Sequence, residues 1–80
     1  MPTILFVNGY AFRIYTADHG PAHVHVLRRG SGSMTLLLPM LEPLSVQGLS
    51  QTEVRAAVEI AHANAATLLA AWNTYHGSKH

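Results

Sequence analysis

The chain contains no cysteine, so no disulfide can staple it and no thiolate can hold a metal ion. It is short of charge as well. Only 11% of its 80 residues are charged, against about 25% in an average soluble domain. Its acids are Asp18, Glu42, Glu53 and Glu59, which leaves no carboxylate pair for acid–base catalysis. It has no Gly-rich phosphate loop and no setting for a serine nucleophile, and no cofactor is expected. No apolar run approaches the ~20 residues that span a bilayer, so no membrane role is expected. Met1-Pro2-Thr3-Ile4 has neither a basic run nor a small-residue cleavage site, so a signal peptide is not expected. The missing cysteines fit a reducing, cytoplasmic setting.

What is present is apolar: 49% of the residues are hydrophobic, and the formal net charge of +1 gives no push toward nucleic acid. A single domain of this length buries roughly 60% of its unfolded surface and is marginally stable. So weakly charged a chain is poorly soluble as a monomer. This predicts a homo-oligomer, or a subunit covered by a small partner protein.

Thr3–Val7 is β-branched and aromatic and reads as a strand, and Asn8-Gly9 is a hairpin turn. Over 10–16, Tyr10, Phe12, Ile14 and Thr16 alternate with Ala11, Arg13 and Tyr15, the period of a half-buried strand. Asp18 to Ala22 is a loop stiffened by Pro21. His23 to Leu27 and Met34 to Leu38 form a second hairpin around the Gly- and Ser-rich turn at 28–33. Part of Met40 to Gly48 either extends the sheet or is a candidate fifth, short edge strand. Ser50 and Glu53 then make a capping box, with Leu49 placed to staple against Val54. Val54, Val58, Ala61, Ala65, Leu68, Trp72 and Tyr75 recur at spacings of three and four, one apolar face of a helix. That helix runs roughly from 50 to 76, about 40 Å, with a bend or break placed near Asn64. Its alanines give it intrinsic stability and a thin profile that another element can approach.

The expected fold is therefore α+β: an antiparallel sheet of four strands, with a candidate fifth, packed against one long C-terminal helix. Residues 1–48 form the β-meander, 49–77 the helical region and 78–80 a tail. The expected core is Ile4, Phe6, Phe12, Ile14, Val24, Val26, Leu36, Leu38, Val54, Val58, Leu68 and Trp72, with Tyr75 and Leu69 beside Trp72 as anchor between helix and sheet.

Chemistry concentrates in Asp18-His19-Gly20-Pro21-Ala22-His23-Val24-His25-Val26, which holds three of the six histidines. On a strand, His23 and His25 share one face. Three uses are open. His19, His23 and His25 can divide the acid and base roles of a metal-independent ribonuclease. Arg13, Arg28 and Arg29 would then be the phosphate-binding groups. Alternatively the same three histidines, with Asp18, can ligate a metal ion. The plainer reading makes them structural or interface residues, with Arg28-Arg29 a solvated turn. Whether the chain is an enzyme stays open at this level.

Met1-Pro2-Thr3-Ile4, Asn8-Gly9-Tyr10, the run from Asp18 to Val26, Gly48-Leu49-Ser50 and Leu68-Leu69-Ala70-Ala71-Trp72-Asn73 together resemble the bacterial domain-of-unknown-function family 4160 over nearly the whole chain. In that family two prolines usually stand between the histidines; here the second is Ala22. Charged residues often occupy the following strand; here it is Leu36-Leu37-Leu38. The resemblance implies a small protein encoded beside a partner of the domain-of-unknown-function family 2442, in a proposed toxin–antitoxin module. It implies one half of a two-protein complex. The leading expectation is a toxin subunit with RNA or translation as its target, and the alternative is a non-enzymatic, antitoxin-like or regulatory subunit.

Overall fold

The structure is a computed structural model that describes residues 3–15 and 20–76. Its sheet is built outward from a two-residue turn. Asn8 and Gly9 both take positive φ, 52° and 84°, as a turn matched to the twist of a hairpin requires. The turn joins β1 (Thr3–Val7) to β2 (Tyr10–Arg13), with Val7 opposite Tyr10 and Leu5 opposite Phe12. β3 (His23–Arg28) pairs with β2, setting Val26 against Phe12 and His25 against Arg13. β4 (Gly32–Leu37) returns along β3 with Leu36 opposite Val24. β5 (Glu42–Gln47) completes an antiparallel meander in the order β1-β2-β3-β4-β5.

The candidate edge strand is thus a full fifth strand. It tolerates Pro43 because one side of an edge strand has no ladder to supply. Its pairing slips by one residue between Ser33–Gln47 and Thr35–Leu44, and Ser45 takes a φ of 53° inside that bulge. All six β5 residues are exposed.

One face of the sheet is covered. Phe12, Ile14, Val24, Val26 and Leu36 are fully buried, with Tyr10, Met34, Leu38 and Leu41 nearly so. The cover is helical. The capping box forms: Ser50 Oγ accepts from the Glu53 N–H (3.1 Å) and Glu53 Oε1 accepts from the Ser50 N–H (2.8 Å). It opens α1 (Gln51–Ala63), which buries Ala57 and Ala61 completely. Two buried alanines let the α1 backbone lie close to the sheet. α2 (Ala65–His76) adds Leu68 and Trp72 to the same core.

The expected single long helix is two helices, divided at Asn64. There the backbone leaves helical geometry (φ −124°, ψ 23°). The Asn64 N–H donates to the Ala61 carbonyl at 3.1 Å and its side-chain amide donates to the Ile60 carbonyl at 2.9 Å. Its own carbonyl accepts the Leu68 N–H at 3.0 Å. A short amide that bonds its own local backbone competes with helix continuation. Asn64 therefore closes one helix and starts the next.

Two expected core residues are outside. Phe6 is 68% exposed. A two-residue turn at 8–9 makes Phe6 the partner of Ala11, so it shares the face of Ala11 rather than that of Phe12. A one-residue bulge at Ile4, between Thr3 and Leu5, leaves both Ile4 and Leu5 packed on the core. Tyr75 is 41% exposed, because the inward line of α2 runs Leu68, Trp72, His76 at steps of four. Val54 and Val58 are half-buried against the core.

Gly32 is set by a close approach: a Cβ there would overlap the Gln47 carbonyl oxygen and come within 2.7 Å of Gly48 Cα. Gly32→Ala is expected to cost about 1–3 kcal/mol by forcing β4 from β5. Leu36→Ala should cost about 2–5 kcal/mol. Phe6→Ser should cost less than about 0.5 kcal/mol. Urea denaturation followed by circular dichroism orders the three; a Phe6 effect as large as that of Leu36 would contradict the register described.

Candidate functional site

The sequence places His23 and His25 on one strand face. The fold surrounds them with rings from two other segments. Tyr15, just beyond β2, stacks on His25 with centroids 4.4 Å apart and planes 17° off parallel. His25 meets His23 edge-on at 5.1 Å. α2 reaches the start of β3, where Trp72 lies 5.0 Å from His23 and stacks on His76 at 3.9 Å. His76 Nε2 then donates to the backbone carbonyl of Tyr15 at 3.1 Å. Five residues from β3, α2 and the segment after β2 thus form a closed circuit.

The ring nitrogens take definite roles in it. A carbonyl only accepts, so the neutral His76 ring carries its proton on Nε2. His23 Nδ1 donates to the Pro21 carbonyl at 2.8 Å, which leaves the lone pair of the neutral ring on Nε2. Both His23 and His25 are half-buried and in contact on several sides. His19 and Asp18 lie outside the described residues. Among the described residues no group of three or more His, Asp or Glu side chains is placed to hold a metal ion.

The three arginines proposed as phosphate ligands come together, but at a distance from His23. Arg13, Arg28 and Arg29 all line a groove of about 450 Å³ with Phe6, Ala11 and Leu27. Arg13 pairs directly with His25 across the β2–β3 ladder, so those two side chains share a face. Arg28 stands five residues from His23 along β3, roughly 16 Å, and alternates to the opposite face.

Arg28 is also engaged. Its Nη1 donates to the Asn8 carbonyl at 2.7 Å, its guanidinium lies 4.4 Å from the Tyr10 ring centroid, and its Nε sits 3.4 Å from Glu53 Oε2. Glu53 accepts in addition from Ser31 Oγ at 2.7 Å. The Ser50 N–H, then the Ser31 hydroxyl, and last the charge of Arg28 hold the Glu53 carboxyl below the usual carboxylate range. Arg28 therefore clamps turn, strand and helix together. Arg29 is exposed in the turn. Arg13 Nε is buried and meets no acceptor among the described residues.

His62 is exposed on α1, as its helical position implies. Tyr15, Trp72 and His76 carry no local signal for their part in the circuit, because their partners are far away in sequence. Phe6 and Leu27 were readable as groove residues only through the strand register.

The fold and its ring circuit define a small α+β protein, a five-stranded meander with two helices on one face. Residues 9–73 match the sequence profile of a domain of unknown function (DUF4160), and the chain belongs to that family. Comparison with curated proteins and with solved structures finds no match. Among the described residues no helix is long and apolar enough to cross a membrane.

Two expectations follow. If stacking is the role of His25, His25→Phe should keep stability within about 1 kcal/mol of wild type, whereas His25→Ala and His76→Ala should each cost about 1–2 kcal/mol; chemical denaturation measures all three. The lowered Glu53 pKa favours the folded state above the ordinary glutamate range. That contribution is lost as pH falls below about 4.3 and through the folded-state value. Glu53→Gln should therefore flatten the acid limb of a stability–pH curve; an unchanged limb would remove Glu53 as a contributor.

Proposed function

We propose that this chain is a non-enzymatic binding subunit of a two-protein bacterial assembly, with structural histidines. The observation that carries the reading is the ring circuit. His23 and His76 pack against Trp72 and are hydrogen-bonded to the backbone carbonyls of Pro21 and Tyr15, and His25 stacks on Tyr15 and meets His23, so the rings of His23 and His76 serve to join α2 to the sheet. A pair of acid–base histidines needs instead to face a cleft beside its phosphate ligands. Two of the three candidate ligands are turned to other work or to solvent.

The bare sheet face supports the same reading. Both helices pack on the other face, while Phe6, Leu27 and Leu44 stay 40% or more exposed on or beside the open one. Low charge gives this surface little solubility of its own. Membership of a toxin–antitoxin module, implied by the family resemblance, fits a subunit of this kind. The ribonuclease reading keeps one favourable contact, the direct pairing of Arg13 with His25.

The test is induced expression in a bacterial host, alone and together with the product of the adjacent gene. A stable co-purifying complex that His25→Phe leaves intact is expected, with no histidine-dependent growth arrest. Arrest that His25→Phe abolishes, while the complex survives, would make this chain the catalytic subunit instead.

A further inference from the structure

The groove on the open sheet face has an unusual lining. Phe6 and Leu27, 68% and 40% exposed, and the small Ala11 form its apolar wall. Among the described residues its charge is of one sign: Arg13 and Arg29 line it, Arg28 borders it with its side chain turned to the opposite face, and no acidic residue is in the lining. Arg28 is neutralised from the other side by Glu53. Arg13 and Arg29 have no such partner among the described residues. Among the described residues the buried Arg13 Nε–H moreover meets no acceptor, and a buried donor left unmade is costly. An occupant that brings an acceptor removes that cost.

Resting on the reading of the chain as a binding subunit, we infer that this groove receives an acidic–apolar peptide segment of the partner protein. One carboxylate of the segment takes the guanidinium fork of Arg13, with Arg29 at the rim, and a neighbouring apolar side chain lies against Phe6 and Leu27. A carboxylate matches the fork with two parallel hydrogen bonds. The mixed lining selects peptide over nucleic acid. A phosphate backbone rewards a broad field of positive charge, whereas this chain carries a net charge of +1 and spends Arg28 internally. The exposed Phe6 ring has the size and position of an interface anchor.

The experiment pans a library of displayed random peptides against the full chain. The enriched peptides are then synthesised and titrated. Asp or Glu flanked by apolar residues is expected in the enriched set. Affinity should fall by about tenfold or more with Arg13→Gln, with Phe6→Ser, and with the peptide's own acid changed to its amide, the loss of one charge-assisted pair or one anchor. Arg13→Lys should lose most of the affinity too, since it keeps charge without the fork. Arg55→Gln, on the exposed side of α1, should change nothing. The peptide-side change cannot disturb folding, so it tests the pairing independently of any effect on the chain.

No enrichment, enrichment without acids, or binding indifferent to Arg13 and Phe6 would overturn the proposal. So would saturable binding of a single-stranded oligouridylate that Arg13→Gln abolishes, which would assign the groove to RNA. A co-purifying complex indifferent to both groove variants would overturn the groove and leave the binding-subunit reading standing. Histidine-dependent arrest with no complex would overturn both.

Discussion

The chain has two short helices to cover a five-stranded sheet, and they cover one face. That limit governs the rest. Val24, Val26, Phe12 and Leu36 draw α1 and α2 onto a single side, and the buried alanines of α1 let it lie close enough to exclude water there. The opposite face is left to its own residues. A domain of this size buries too little surface to spare any, so an uncovered apolar face is a standing liability for a lone molecule and a ready contact for a second one.

Much of this was legible in short-range signals. Asn8-Gly9 announced a hairpin, Ser50 and Glu53 announced a helix start, and the alternation around Val24 and Val26 announced which side of β3 would be buried. Each of these depends on neighbours within a few residues. Asn64 was legible as a weak point in the helix because an asparagine amide can satisfy the carbonyls that a stopping helix abandons. Phe6 is placed by register and not by hydrophobicity. With a two-residue turn at 8 and 9, the partners between the turn and the bulge at Ile4 sum to 17, which pairs Phe6 with Ala11. Hydrophobicity alone points it to the core.

The site was less legible. His23 and His25 were correctly placed on one strand, yet the rings that define their surroundings come from Tyr15, Trp72 and His76. The His76–Tyr15 contact spans 61 residues and leaves no periodic trace in the sequence. The arginines show the converse. Arg28 and Arg29 are adjacent in sequence and looked equivalent, but β-strand alternation sends one into a clamp with Glu53 and leaves the other in solvent.

The Glu53 carboxylate has a consequence for how the chain comes together. One of its oxygens caps its own helix at the Ser50 N–H, and the other takes the Ser31 hydroxyl and the Arg28 guanidinium from the β3–β4 hairpin. Helix initiation, usually the costly local step, is thereby wired to strand pairing more than twenty residues away. The second Glu53 oxygen finds these partners only when the hairpin is formed. Such sharing couples the stability of the helix start to that of the hairpin.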